Sequence, residues 1–325
     1  MVPNSKTLTV MEVEKLLTAR TPALAVLSDG SAYHPIDLLE LCVSKELPFV
    51  TISQSNHEDC WPDDELASRY RSVLPAALRC YFVSNVNRRL FENQIGYELP
   101  NAELIYNPFN VDFNAEPQWP SLSPDAELAL ACVARLHPPS KGQDILLEAL
   151  ADPAWRNRSW HLSLFGEGPM KNSIERMVRR LGLEHRVRLQ GYVTSVKRIW
   201  AENHVLVMPS RYEGLPLAMV EAMLCSRPVV ATAVAGHSEI IEDGVTGFLA
   251  DSPTVASLAK ALEELWARRM DLQAIGQAAA KSVRTHVPAD PVRSFVAKIK
   301  NLLTSGDGDA GGRALQRIVS QNAVG

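Results

Sequence analysis

Two glutamates eight positions apart, Glu213 and Glu221, are the residues of this sequence best placed to do chemistry. They follow an apolar run that ends at Met208 and is typical of a buried strand. A helix is predicted to begin near Leu215 and Pro216, because proline suits the first helical turn, where its missing N–H costs nothing. A helix that starts at the carboxyl end of a parallel strand presents unpaired amides to a ligand, which favours a phosphate group.

The spacing of the two glutamates suits a ligand with two polar ends. If the span between them were helical, it would cover roughly 12 Å, similar to the reach from the hexose to the ribose of a nucleoside diphosphate sugar. Glu213 could then bind the sugar, while Glu221 accepts hydrogen bonds from ribose hydroxyls. By themselves, the two residues are equally compatible with a turn glutamate and a solvated helix glutamate.

A loop with two cations is predicted at the same rim as Glu213. Arg135 and Lys141 follow the strand predicted at 128–133 and precede the helix predicted at 143–150. Together they would neutralise a diphosphate, each charge-assisted hydrogen bond contributing about 1.5–3 kcal/mol. An isolated Arg or Lys in a loop is normally solvated, so this loop is informative only in combination with the glutamates.

A second loop, after the strand predicted at 160–165, contains Gly166 and Gly168. Glycine permits a ligand to approach the backbone closely. Lys171 stands where a dinucleotide-binding fingerprint needs its third glycine, so the sequence does not match that fingerprint.

These loops lie between strands and helices that alternate along the chain, which predicts an α/β fold with parallel sheets. The Pro-rich stretch 107–125 has no apolar period and is interpreted as a linker between domains. We therefore predict a first domain over 1–122, a second over 123–303 whose last helix could pack back on the first domain, and a flexible tail over 304–325. The strands are predicted at 23–27, 49–52, 80–84, 128–133, 160–165, 187–189, 205–208 and 229–231, with helices at 35–45, 143–150, 174–181 and 291–303.

Composition excludes several classes of function. The chain has 325 residues, 46% of them hydrophobic and 22% charged, as expected for a globular protein with two domains. Its net charge of −4 argues against a general nucleic-acid binder. The five cysteines form no CxxC or Cys/His cluster, which argues against a metal site and favours free thiols in a reducing cytoplasm. With no secretory signal and no apolar run of roughly 20 residues, we expect a cytoplasmic protein that could rest on the inner face of a membrane without crossing it.

In combination, these segments resemble the donor-binding domain of glycosyltransferase family 4. The resemblance is specific from about 128 to 249 and looser from 23 to 112. It is carried by the Arg135…Lys141-Gly142 loop, Gly166-Glu-Gly-Pro169, Leu189-Gln-Gly-Tyr192, Glu213-x7-Glu221, and Pro228-Val-Val-Ala-Thr followed by Gly236, Glu239-Ile-Ile, Gly244 and Gly247. In the first domain it is carried by Val83-Ser84 and Asn107-Pro108…Val111-Asp112.

The resemblance implies the GT-B architecture of two facing Rossmann-like domains with parallel sheets. It implies transfer of a hexose-type sugar, with retention of configuration, from a UDP- or GDP-linked donor to a glycan or lipid-linked acceptor. No cofactor and no obligatory metal are implied. The leaving diphosphate itself would act as base toward the acceptor, where nearby positive charge stabilises the departing group.

The resemblance also assigns roles to residues. Arg135 and Lys141 would hold the diphosphate, Glu213 would lie beside the transferred sugar as the catalytic residue, and Glu221 would bind ribose. On this view Glu213→Ala would cut transfer strongly and leave nucleotide affinity nearly unchanged. The other donor-binding residues would be Gly166, Gly168 and Tyr192, with Gly214, Leu215 and Leu217 acting through backbone amides that the intervening Pro216 cannot supply.

The first domain is expected to be incomplete. Members of the family usually open with a strand, a glycine-rich loop and a helix before the segment that here begins near residue 23. On the acceptor side, many members place a histidine where Gln54 stands, and His57 could substitute for it. A histidine alone in a loop is more often structural or solvated.

Three other functions compete with sugar transfer. A non-catalytic nucleotide-sugar-binding protein or inactive fragment would bind a donor without turning it over. A nucleotide-sugar epimerase would isomerise the donor with no acceptor present, although the Arg135, Lys141, Glu213 and Glu221 set suits it less well. A phosphorylase is less compatible still, because no lysine lies in a context typical of a pyridoxal phosphate site.

Overall fold

The computed structural model describes residues 10–19, 22–123 and 126–304. The chain divides into two compact units: the first comprises the residues up to Ile105 and those from Val292 onwards, and the second is Tyr106–Pro291. The segment 106–122, which the sequence assigned to the first domain, therefore groups with the second unit, and the last helix groups with the first. The predicted tail lies outside the described residues except for Thr304.

The first unit contains a sheet of four parallel strands in the order β1–β2–β3–β4. Strand β2 is buried along its whole length, as expected for a strand covered on both faces. The elements are α1 (Val10–Ala19), β1 (Ala25–Asp29), α2 (Ile36–Ser44), β2 (Phe49–Ser53), α3 (Asp64–Val73), β3 (Arg79–Phe82), α4 (Asn85–Ile95) and β4 (Ala102–Leu104).

Different elements cover the two faces of this sheet, because side chains alternate between the faces along each strand. Phe49 and Phe82 lie in the core formed with α2, α3 and α4. Val50 and Tyr81 point the other way and pack against the last helix, where Phe295 lies edge-on to the Tyr81 ring at 5.7 Å between centroids.

The second unit contains a sheet of six parallel strands in the order β10–β9–β8–β5–β6–β7. The elements are β5 (Leu128–Val133), α5 (Pro138–Lys141), α6 (Gln143–Leu150), α7 (Pro153–Arg156), β6 (Trp160–Phe165), α8 (Lys171–Arg180), β7 (Val187–Gly191), α9 (Val196–Glu202), β8 (Val205–Met208), α10 (Leu217–Leu224), β9 (Val229–Thr232), α11 (His237–Ile240), β10 (Gly247–Ala250), α12 (Val255–Ala267), α13 (Leu272–His286) and, in the first unit, α14 (Pro291–Thr304).

The strand order of the second sheet reverses at its centre. From β5 the chain proceeds outward through β6 and β7, and β8 then returns to the other side of β5 before β9 and β10 extend the sheet that way. In parallel α/β sheets, ligands bind outside the carboxyl ends of the strands at such a reversal. The fold thereby confirms the predicted α/β class with two parallel sheets. Among the described helices, none combines the length and apolar character needed to span a bilayer.

Candidate active site

The loops after β5 and β8 emerge side by side at the reversal of the second sheet. The two strands are hydrogen-bonded neighbours, with Leu130 opposite Val205 and Ala131 opposite Leu206. Because both strands run in the same direction, the segments that follow them meet at the same edge. The first carries the predicted cations and the second carries the first predicted glutamate.

Lys141 and Glu213 form a direct ion pair at this edge. The Lys141 Nζ lies 2.5 Å from the Glu213 Oε1, and the side chains are 23% and 9% exposed. The Ser210 hydroxyl donates a second hydrogen bond to the same oxygen at 2.9 Å. The structure therefore brings together a lysine and a glutamate that lie 72 positions apart in the sequence and holds the carboxylate in one orientation.

Arg211 ties the two loops to each other. Its guanidinium donates two hydrogen bonds of 2.8 Å to the carboxylate of Asp144 and a third to the carbonyl of Pro138. Its backbone N–H donates to the carbonyl of Ser140. Hydrogen bonding to Asp144 raises the pKa of Arg211 and keeps it charged. The two parallel bonds to Asp144 fix the loop after β8 against α6, and the bonds to the carbonyls of Pro138 and Ser140 fix it against α5.

Backbone-to-backbone contacts at glycines complete the frame. Gly142 has a left-handed φ of 63°, and a Cβ there would lie 1.8 Å from the Pro209 carbonyl oxygen. A Cβ at Gly166, whose φ is 122°, would lie 2.2 Å from the carbonyl oxygen of Ala134 in the loop after β5. A Cβ at Gly168 would lie 2.4 Å from the carbonyl oxygen of Leu136 in the same loop. These glycines allow the loops after β5, β6 and β8 to touch. The predicted donor contacts of Gly166 and Gly168 stay predictions.

Glu221 lies in the second turn of α10 and is 4% exposed. Its Oε1 accepts a 2.8 Å hydrogen bond from the backbone N–H of Asn110 and a 2.9 Å bond from the Asn110 side-chain amide. Burial raises the pKa of Glu221, and the two bonds from Asn110 oppose that rise. The carboxylate expected to bind ribose is thus held by a residue of the Pro-rich stretch that the sequence analysis did not single out.

The start of α10 differs from the sequence prediction. The helix begins at Leu217, and Pro216 is its N-cap with an extended ψ of 131°, so proline precedes the first helical turn. The span from Glu213 to Glu221 is therefore helical only in its second half, so the condition on which its length was estimated is not met. Gly214 and Leu215 are buried just before the helix, and the carbonyl of Gly214 accepts a hydrogen bond from the N–H of Gly236 at 3.0 Å.

The other predicted donor residues lie at the same edge with more exposed side chains. Arg135 follows β5 and is exposed, and its backbone carbonyl accepts a 2.9 Å hydrogen bond from the side-chain amide of Gln143. Tyr192 follows β7 and is 72% exposed. Leu217 is half-buried at the first position of α10.

The predicted acceptor-side residues follow β2 in the first unit. The N–H of Gln54 donates to the carbonyl of Asp29 at 3.2 Å. His57 lies in the segment that follows β2, and its backbone carbonyl accepts a hydrogen bond from the side-chain amide of Gln94. The His57 Nε2 is 2.7 Å from the Cys60 Sγ. Both residues thus lie near the carboxyl end of the first sheet, the edge at which parallel sheets bind ligands.

A histidine that the sequence analysis did not single out lies behind the Glu213 loop. His237, the first residue of α11, is fully buried, and its Nδ1 is 2.7 Å from the carbonyl oxygen of Thr232. Burial lowers the pKa of His237, with smaller effects from Glu213 and Lys141. Within the described part of the chain, no group of three or more His, Cys, Asp or Glu side chains could hold a metal ion.

Residues 127–268 match the sequence model of the family described as glycosyl transferases group 1. The poly(ribitol-phosphate) alpha-N-acetylglucosaminyltransferase of Staphylococcus aureus is 33% identical over 128 residues, which are 39% of this chain and 26% of that protein. The GDP-mannose-dependent alpha-(1-6)-phosphatidylinositol monomannoside mannosyltransferase of Mycolicibacterium smegmatis is 31% identical over 218 residues, 61% of this chain and 55% of that protein. The chain thus spans about a quarter to a half of the length of these relatives.

A crystal structure of Anabaena HepE in complex with UDP has a similar fold. The TM-score is 0.71 at 20% sequence identity, and the likeness covers 90% of this chain and 81% of that one. Sucrose-phosphate synthase from Thermosynechococcus elongatus gives a TM-score of 0.73 at 18% identity over 91% of this chain. At these identities the comparison establishes the fold alone.

Proposed function

We propose that this chain, which carries a group 1 glycosyltransferase domain over residues 127–268, transfers a hexose-type sugar from a nucleoside diphosphate sugar to a glycan or lipid-linked acceptor. The observation that supports this most directly is the Lys141–Glu213 pair at the reversal of the second sheet. The pair combines an ammonium, which could bind a diphosphate, with a carboxylate, which could bind sugar hydroxyls, at the edge where parallel sheets bind ligands.

In the proposed reaction the configuration of the sugar is retained. The bond between the anomeric carbon and the diphosphate breaks, and the acceptor oxygen bonds to the same face of that carbon. The proton of the acceptor hydroxyl passes to the departing diphosphate, which carries the negative charge away as a nucleoside diphosphate. Lys141 and Arg135 stabilise that charge as it develops, which lowers the barrier more than it stabilises the bound donor.

Glu213 and Glu221 have separate tasks in this proposal. Glu213 orients the sugar through its hydroxyls, and the Ser210 hydrogen bond keeps its carboxylate in place. Glu221, held by Asn110, accepts hydrogen bonds from the ribose. We further propose that the two loop cations replace a metal ion, so that a chelator would leave the rate unchanged.

The acceptor and the location of the reaction belong to the same proposal. Gln54 and His57 would contribute to the acceptor side. A cytoplasmic location is supported by the five free cysteines, four of which are buried, because thiols persist in a reducing compartment. A lipid-linked acceptor would add contact with the membrane surface, which vesicle sedimentation would detect.

Calorimetric titration with UDP, GDP and ADP tests the donor half of the proposal. We expect one of the three to bind in the micromolar range, about −8 kcal/mol, and Arg135→Ala to weaken that binding strongly. The matching nucleotide sugars are then assayed for release of the nucleoside diphosphate with and without acceptor. Binding without release would favour a non-catalytic nucleotide-sugar-binding protein, and binding of none of the three would refute the proposed site.

A further inference from the structure

A fully buried histidine takes no part in the proposed chemistry yet lies beside it. The Nδ1 of His237 is 2.7 Å from the Thr232 carbonyl oxygen, and a carbonyl oxygen can only accept, so the Nδ1 carries a proton. The Nε2 has no hydrogen-bond partner among the described residues. One polar bond therefore fixes this ring in an interior position where polar side chains are uncommon.

That bond closes a tight turn between β9 and α11. The N–H of Val234 donates to the Thr232 carbonyl at 2.8 Å, and the N–H of His237 donates to the Val234 carbonyl at 3.1 Å. Ala235 has a left-handed φ of 48°, a conformation that favours glycine. An alanine stays in that conformation only when its surroundings hold it there, and the His237–Thr232 bond spans the residue.

The same turn contacts the chain on both sides of Glu213. Before Glu213, the Thr232 hydroxyl donates to the Ser210 carbonyl at 2.5 Å. After Glu213, the Gly236 N–H donates to the Gly214 carbonyl at 3.0 Å. The Ser210 side chain in turn bonds the Glu213 carboxylate. Thr232 is fully buried and Ser210 is 1% exposed, so the hydrogen bond between them is shielded from water.

We propose that His237 is a positioning residue for Glu213. The imidazole N–H holds the left-handed turn closed, and the turn holds the segment 210–214 at both ends of the glutamate. His237 touches neither sugar nor phosphate in this account. The proposal rests on the proposed function only for its effect on rate, because the geometry of the turn is independent of what the site binds.

Two substitutions separate positioning from packing. Asparagine carries an amide N–H₂ that can donate to the Thr232 carbonyl as the His237 Nδ1 does, whereas leucine fills similar space without a donor. We expect His237→Leu to lower kcat about a hundredfold, the loss typical of a catalytic group displaced by about 1 Å. We expect His237→Asn to remain close to wild type in kcat, and neither variant to bind the nucleoside diphosphate more weakly than wild type does.

A rescue variant tests the role of the turn. Ala235→Gly removes the steric cost of the left-handed conformation, so the turn needs less support. We expect His237→Leu with Ala235→Gly to recover part of the lost kcat, while Ala235→Gly alone leaves the rate unchanged. A loss of kcat in His237→Asn as large as that in His237→Leu would overturn the proposal, and so would an equal loss of nucleotide affinity in both.

Amide hydrogen exchange gives a readout that needs no turnover. We expect peptides covering 209–216 to exchange faster in His237→Leu than in wild type and at the wild-type rate in His237→Asn, while β6 peptides exchange equally in all three. Unchanged exchange in His237→Leu would overturn the positioning role whatever the activity. If wild type transfers no sugar from any donor, the proposed function fails, and the exchange data alone decide the role of His237.

Discussion

Replacing Glu213 by glutamine is expected to tighten the binding of nucleoside diphosphates. In the structure the Glu213 carboxylate holds the Lys141 ammonium at 2.5 Å, so a diphosphate must compete with it for the same cation. Glutamine keeps an oxygen for the Ser210 hydroxyl but removes the charge. From the sequence alone, loss of Glu213 was expected to leave nucleotide affinity nearly unchanged, and the ion pair changes that expectation.

The size of the effect follows from the burial of the pair. Two unit charges about 4 Å apart attract each other by about 4 kcal/mol at the effective dielectric of a protein surface. Desolvation of both groups cancels part of this, and hydrogen bonds to charged groups contribute about 1.5–3 kcal/mol net. If a diphosphate has to replace that interaction, Glu213→Gln should raise its affinity roughly ten- to a hundredfold.

Calorimetry on a double-mutant cycle measures this effect. We compare wild type, Glu213→Gln, Lys141→Met and the double variant with the nucleoside diphosphate and with the nucleoside alone. The increase in affinity caused by Glu213→Gln should occur with the nucleoside diphosphate and not with the nucleoside. It should disappear in the Lys141→Met background, and the Glu213→Gln variant should lose sugar transfer. Equal or weaker diphosphate binding by a folded Glu213→Gln variant would show that the carboxylate does not compete with the diphosphate for Lys141.

Three further predictions concern the frame, the ribose contact and the response to acid. Gly142→Ala should lower the free energy of unfolding in urea by at least about 2 kcal/mol, because its Cβ would meet a carbonyl oxygen, whereas Gly30→Ala, with open space around it, should not. Asn110→Ala should weaken nucleoside binding by about 1.5 kcal/mol through Glu221, and a 2′,3′-dideoxynucleoside, which lacks the two hydroxyls proposed to bind Glu221, should bind both forms equally. Burial lowers the pKa of His204 from its ordinary 6.5 to about 4, and its Nδ1 accepts a backbone N–H. The unfolded chain therefore binds a proton more readily, so stability should fall as the pH drops from about 6.5 to 4, by up to about 3 kcal/mol. Unfolding midpoints that do not change over that range would contradict the last prediction.

The second sheet shows what could be predicted from the sequence. The strands β5, β6 and β8 have the predicted bounds, because each is an apolar run buried on both faces and followed by a polar or glycine-containing loop. No strand was predicted at β10, whose four residues begin with glycine. The one-turn helix α7 was not predicted either, since four residues are too few to show a helical period.

The helices α3 and α4 were not predicted for a different reason. Both have polar residues on most of their surface, so the apolar period is weak, although each carries an N-cap that the sequence contains. Asp63 accepts a hydrogen bond from the N–H of Leu66, and Ser84 accepts one from the N–H of Asn87. Searching for these capping residues would have located both helix starts.

The site was predicted in its outline and not in its contacts. That Lys141 and Glu213 share a rim followed from two strands that each end in a polar loop. The ion pair between them depends on β5 and β8 being neighbours, which the sequence does not reveal because β6 and β7 intervene. Asn110 lies in a stretch without periodicity, and His237 is one polar residue inside a glycine-containing motif, so no local pattern marked either.

In the proposed function Lys141 serves both Glu213 and a phosphate, and the way the loops are joined is compatible with this. The loops after β5, β6 and β8 contact each other through the main chain at Gly142, Gly166 and Gly168, and Arg211 ties two of them to each other. The backbone of the site is therefore fixed before a ligand arrives. The lysine ammonium, on a flexible four-carbon stem, can turn from the carboxylate to a diphosphate without any loop moving. On binding, the main chain of such a site would reorganise little, and the remaining cost would be that of breaking the Lys141–Glu213 ion pair.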